Sequence, residues 1–118
     1  MALDPNKRER EEVYHQVQAK RFITTNGIVL RTVGRMFKTR FFRFDELKVA
    51  LSSYGLGEIE IYDSMDYLEG KKYIEVREVS TKRNVRLPDM EVAEVEFKLT
   101  SEGTLVALSI ISDPGVEI

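Results

Sequence analysis

The stretch Asp45-Glu-Leu-Lys-Val-Ala-Leu-Ser-Ser-Tyr-Gly-Leu-Gly-Glu-Ile-Glu-Ile-Tyr-Asp-Ser-Met-Asp-Tyr-Leu-Glu-Gly-Lys-Lys-Tyr73 decides the fold. Leu47, Ala50, Leu51 and Tyr54 recur at i, i+3, i+4 and i+7, the pattern of a half-buried helix. Asp45 stands where a capping oxygen would hold the first N–H groups, and Gly55 where a left-handed residue would end the helix. After Leu56-Gly57 a second helix is expected to bury Ile61, Met65 and Leu68, with Tyr62 at its margin. Gly70 is expected to stop it as Gly55 stops the first.

Downstream the period changes to two. Tyr73 to Val79 reads as a strand, and Glu94 to Leu99, which alternates cleanly, as its return strand. The polar loop between them, Ser80 to Pro88, is too long for a tight turn and is expected to project. Thr100 caps a last helix carrying Leu105, Val106, Leu108 and Ile110, and Asp113-Pro114-Gly115 turns the chain out of it.

Upstream, Asp4 and Pro5 suit a helix start, and residues 7–20 are good helix formers with a thin stripe of Val13, Tyr14 and Val17. The alternating charges of Lys7 to Glu12 fit a solvated face. His15 stands alone there and reads as an exposed or structural residue. Between Arg21 and Phe37, Ile23, Gly27, Leu30, Gly34 and Phe37 share one helical stripe, which favours a helix. The competing reading is a hairpin turning at Asn26-Gly27. Lys38 to Phe44 reads as a short basic strand or extended link. The domain plan is therefore an N-terminal helical extension over 1–20 and one domain over 21–118, ending in a helix and short tail.

At 118 residues, 42% of them hydrophobic, the chain suits a single globular domain. The absence of cysteine removes disulfides, thiol nucleophiles and cysteine-held zinc, and with one His a metal site would have to be built from carboxylates. No cofactor is expected. Met1 to Glu12 is polar, unlike a signal peptide, and no apolar run reaches the ~18 residues of a membrane span. The expectation is a cytoplasmic chain with no membrane partner.

The order helix, short strand, helix, glycine turn, helix, strand, loop, strand, helix resembles the winged helix-turn-helix superfamily. Tyr67-Leu68-Glu69-Gly70-Lys71-Lys72-Tyr73-Ile74 is similar to the junction that closes the recognition helix in such domains. Leu99-Thr100-Ser101-Glu102-Gly103 resembles the Leu-Thr-x-x-Gly start of their last helix. That stretch together with Asp113-Pro114-Gly115-Val116 is also similar to small winged-helix proteins of Mu-like prophages. The resemblance implies an α+β winged helix-turn-helix, a three-helix core with a β-hairpin wing, plus extra N-terminal and C-terminal helices. It also implies a prophage transcriptional regulator that binds double-stranded DNA, and a homodimer formed through those terminal helices.

Carried over, the surface of the second helix that enters the major groove would comprise Glu60, Asp63, Ser64 and Tyr67. Yet Glu58, Glu60, Asp63, Asp66 and Glu69 make this helix acidic, and DNA affinity comes mainly from Lys and Arg on phosphates. The cations lie elsewhere. Lys38, Arg40 and Arg43 on the short strand, and Arg77, Lys82, Arg83 and Arg86 on the wing, are the candidate phosphate contacts. The alternative is a non-enzymatic interaction module, in phage assembly or an accessory role, whose acidic second helix docks a protein. Enzymatic chemistry has little to build on. Gly55-Leu56-Gly57 lacks the third glycine of a dinucleotide loop, no phosphate-binding G-x-x-x-x-G-K-S/T run is present, and nucleophile–base pairs need Cys or more His.

Overall fold

A computed structural model describes residues 5–118, so the expected cap at Asp4 lies outside the described residues. The fold is α+β: α1 (Pro5–Met36), α2 (Phe44–Ala50), α3 (Glu58–Gly70), β1 (Ile74–Glu78), β2 (Val95–Leu99) and α4 (Ser101–Ala107). Among the described residues no helix is long and apolar enough to cross a membrane.

The expected helix over Arg21 to Phe37 forms, and the hairpin at Asn26-Gly27 does not. It continues unbroken from the N-terminal helix, so the 20/21 boundary falls inside α1. Strong helix formers over residues 7–20 and no glycine or proline between Asn6 and Asn26 allow this. Gly27 is required by close approach: a Cβ there would lie 1.6 Å from the Glu117 carbonyl oxygen of the C-terminal tail. Val29, Leu30, Val33 and Phe37 give α1 its buried face.

α2 and α3 bury Leu47, Leu51, Ile61, Met65 and Leu68, as their period requires. Their ends differ from expectation. Asp45 sits exposed in the first turn of α2, and Glu46 does the capping, accepting from the Arg43 backbone N–H at 3.0 Å. Glu60 does the same at α3, accepting from Gly57 N–H at 3.3 Å. A carboxylate three residues into a helix reaches back to its first free donor, so the local Glu displaces the Asp cap. Gly55 has the expected left-handed φ of 68°. Gly70 does not; Lys72 takes that conformation instead, with φ 65°, while Tyr73 N–H reaches back to Leu68 O.

β1 and β2 pair antiparallel, Ile74 with Leu99, Val76 with Phe97 and Glu78 with Val95. These residues, except Glu78, point into the core. Both sheet edges are covered. Phe42 exchanges two backbone hydrogen bonds with Phe97 on one side, and Asn84 bridges Arg77 on the other. Phe42 stacks between Phe37 and Phe97 at centroid distances of 4.3 and 5.6 Å, which joins α1 to the sheet.

The β1–β2 connection does not simply project. Glu78 N–H donates to Arg83 O and Val85 N–H to Val76 O, so the loop turns back along β1. Leu87 is buried beneath it. Its anchor is the buried carboxylate of Glu69, which accepts from the Arg86 guanidinium and, at 2.7 Å, from Leu87 N–H.

Thr100 caps α4, accepting from Gly103 N–H at 3.0 Å while its hydroxyl donates to Lys72 O at 2.7 Å. Gly103 is dictated by packing, since a Cβ would sit 2.1 Å from Tyr73 O. The Leu-Thr-x-x-Gly stretch therefore ties α4 to the start of β1. α4 is shorter than expected. It ends at Ala107, Ser109 adopts φ 60°, and Leu108 and Ile110 stand exposed rather than buried. The tail then crosses α1, with Asn26 Nδ2 donating to Gly115 O and Thr24 Oγ1 to a Glu117 carboxylate oxygen.

Candidate functional site

The four α3 positions expected to face outward do not share a free surface. Glu60 is held by Arg21 through two bonds of 2.9 and 3.0 Å, which lower its pKa below the usual carboxylate range despite partial burial. Ser64 is fully buried, and its hydroxyl has no hydrogen-bond partner among the described residues. Tyr67 is half-buried, its ring edge-on to Phe22 at 5.3 Å and its hydroxyl donating to Asp113 at 3.2 Å. Only Asp63 stays exposed, beside a cleft of about 410 Å³ that Gln18, Arg21, Phe22 and Thr25 of α1 share with α3. The cause is the length of α1. Because it does not break near residue 20, its middle turns lie along the face of α3 that carries Glu60, Ser64 and Tyr67. Ser64 is thus corrected from a surface residue to a core residue.

The seven cations expected on phosphate are dispersed and mostly engaged. Arg77 and Lys82 both bind Glu96, whose burial would raise its pKa but whose two cationic partners bring it below normal. The Arg77 guanidinium also lies 3.4 Å over the Phe41 ring. Arg86 is tied to Glu69. Arg40 sits over the Phe37 ring and 3.5 Å from Glu46, and the Arg43 guanidinium donates to the Ala93 carbonyl. Among the described residues only Lys38 and Arg83 of the seven make no ion pair or side-chain hydrogen bond, and both are exposed.

Two apolar surfaces remain that the charge pattern did not reveal. The turn between α2 and α3 exposes Val49 and Ile59, 74% and 77% accessible, and half of Tyr54, with Asp45, Glu58 and Asp63 exposed on the same two helices. The other surface is a groove of about 610 Å³ between the second half of α1, α4 and the chain end. Gly34, Leu99, Ala107, Leu108 and Ile118 line it, and Arg31, Arg35 and Lys38 contribute cationic side chains.

The buried carboxylate of Asp113 is a third site that the sequence presented only as a turn. It accepts from the Tyr73 hydroxyl, from Tyr67 and, at 2.7 Å, from Gly115 N–H, with Lys71 Nζ at 3.6 Å. Burial pushes its pKa up, but these donors outweigh that and hold it below the ordinary aspartate value. Burial and the adjacent carboxylate push the Tyr73 phenol up to about 12. Both groups keep their neutral-pH forms firmly, which suits a structural clamp. Among the described residues no group of three His, Asp or Glu side chains is placed to hold a metal ion.

Comparison of the chain with known protein families, characterised proteins and solved structures gives no match.

Proposed function

We propose that this chain is a winged-helix interaction module, without enzymatic activity, that binds another protein through the α2–α3 turn. The helix pair α2–α3, the antiparallel β1–β2 hairpin and the Thr100-capped α4 support the winged-helix reading. The observation that carries the functional reading is the state of α3. Its Glu60–Ser64–Tyr67 face is occupied by α1 and the C-terminal tail, and its remaining exposed charge is acidic, so a phosphate backbone would be repelled there. The exposed Val49, Tyr54 and Ile59 suit an apolar segment of a partner, while Asp45 and Glu58 on the same helices are bridged by Lys48 at 3.3 and 3.6 Å.

DNA binding stays as the second reading because Lys38 and Arg83 are exposed and unpaired, with Arg31 and Arg35 near Lys38. Fluorescence anisotropy on random duplex at ~50 mM salt, where counterion release most favours association, separates the two. The interaction reading expects no binding there. It also expects a protein partner, captured by the wild-type chain, to be lost from the folded variants Val49→Lys and Ile59→Lys. Duplex binding that weakens in Lys38→Ala and Arg83→Ala would establish the second reading instead.

A further inference from the structure

The last turns of α1 carry charge that the folded chain leaves unbalanced. The C-terminal tail lies on α1 at Ile23 to Gly27, and Ile118 borders the open groove beyond. Arg31, Gly34 and Arg35 follow at i, i+3 and i+4, so they share one stripe of the helix, and Lys38 comes just past its end. All four line the groove. Like charges three or four residues apart on a helix repel. Yet Arg31, Arg35 and Lys38 make no ion pair among the described residues, with a side chain or with the Ile118 carboxylate. No Asp or Glu is among the residues that line the groove.

Beside these cations the floor is apolar and made of small groups. Leu99 is buried, Ala107 half-buried and Leu108 exposed. A Cβ on Gly34 would meet the Ala107 methyl at 3.5 Å, an ordinary contact, whereas at Gly27 and Gly103 it would collide with backbone. Packing therefore does not demand the glycine at 34, although glycine weakens a helix relative to alanine. What it leaves is room. The groove of about 610 Å³ is of the size that holds a small organic molecule. Between Arg31 and Lys38 it runs roughly 10 Å along the chain, at about 1.5 Å per helical residue.

We propose that this groove binds a free amphipathic organic anion, a medium-chain carboxylic acid, with its carboxylate among Arg31, Arg35 and Lys38 and its apolar body on Leu99, Ala107 and Leu108. A guanidinium takes a carboxylate through two parallel N–H···O bonds, and the neighbouring cations add charge attraction. One bound anion relieves the repulsion along the stripe and covers the exposed Leu108 side chain. The apolar floor is recessed between two helices, which suits a free molecule better than the flat surface of a membrane. The site is built from other elements than the α2–α3 turn, so the two readings stand or fall separately.

Isothermal titration calorimetry of the full chain with decanoate is expected to give a Kd between ~10 and ~1000 µM, the range for a ligand of that size. Decanol keeps the apolar body and acetate keeps the head, and each should bind at least about tenfold more weakly. The double variant Arg31→Ala with Arg35→Ala should weaken decanoate about tenfold and leave decanol unchanged. Ala107→Phe fills the floor and should abolish binding. Gly34→Ala narrows the floor by one methyl in ordinary contact, keeps the fold, and should still weaken binding severalfold. Amide shifts in NMR spectra on adding decanoate should centre on Gly34, Thr39, Thr104 and Ala107. No heat and no shifts up to ~5 mM decanoate overturn the proposal. Equal affinity for decanoate and decanol, unchanged affinity in the arginine double variant or in Gly34→Ala, or shifts centred elsewhere overturn it equally. Binding to phosphatidylglycerol vesicles without binding of decanoate overturns it in favour of a membrane surface.

Discussion

Replacing Asp113 by Asn is expected to destabilise the fold and to flatten one part of its pH dependence. The carboxylate is buried and accepts three direct bonds, from Tyr73, Tyr67 and Gly115 N–H. A hydrogen bond to a charged group contributes about 1.5–3 kcal/mol and one to a neutral group about 0.5–1.5, so losing the charge forfeits roughly 1 kcal/mol per bond. Asn also turns a donor toward partners that are themselves donors, while the desolvation penalty of a carboxylate disappears. The net loss should be about 1–3 kcal/mol at pH 7.

The sign of the pH effect follows from the depressed pKa. The folded protein holds the Asp113 proton less tightly than the unfolded chain, whose value is near 3.8. The stabilisation is therefore complete above about pH 4 and is lost as pH falls through the lower folded value. Urea unfolding of wild type and Asp113→Asn at a series of pH values from 7 down to about 3 isolates this group, because every other carboxylate titrates in both proteins. The gap between the two curves should narrow as pH falls. A variant within about 0.5 kcal/mol of wild type at pH 7, or a gap that does not change with pH, would refute the clamp.

Tyr73→Phe should lose about 1.5–3 kcal/mol at neutral pH through the same carboxylate. It should also remove an alkaline arm: a phenol raised to about 12 stabilises fully below pH 10 and loses that contribution as pH rises through about 12, which denaturant melts at pH 9 to 12 would display. Ser64→Ala should leave the fold unharmed or stabilise it by about 1 kcal/mol, since it deletes a buried hydroxyl without a partner; a loss of more than 1 kcal/mol by thermal unfolding would mean that the hydroxyl is bonded. Gly103→Ala should destabilise by at least about 3 kcal/mol, because the methyl would collide with the Tyr73 carbonyl and no flexible side chain can yield there. Near-wild-type urea stability in that variant would show that the α4–β1 junction is looser than its geometry states.

What the sequence disclosed well was periodic. Leu47, Leu51, Ile61, Met65 and Leu68 are buried where a 3.6-residue period puts them, and the two-residue alternation of 73–79 and 94–99 became the antiparallel pair Ile74–Glu78 and Val95–Leu99. Burial on one face of an element is a local property, so a local pattern encodes it. The Thr100 cap was legible for the same reason, its acceptor and donor being three residues apart. The caps of α2 and α3 were less so, because Asp45 and Glu46 compete for one function and only geometry decides between them.

What the sequence left unread has a different cause. Whether Ser64 faces water depends on α1, about forty residues away, and on the fact that α1 has no break. Whether Arg86 is free for phosphate depends on Glu69, and whether Arg77 and Lys82 are depends on Glu96. A cation in a sequence is available to a partner only after its own carboxylates have been placed, and in a chain with 18 basic and 20 acidic residues several find one. The β1–β2 connection accordingly has part of its basic charge engaged within the chain. Glu69 holds Arg86 and the Leu87 N–H at once and so fastens the β1–β2 connection to the end of α3. Three cations without an ion pair, Arg31, Arg35 and Lys38, line the α1–α4 groove, where a reading of charge runs along the sequence would not group them with α4. The surfaces to test first are therefore those that intramolecular pairing leaves over, namely this groove and the apolar α2–α3 turn.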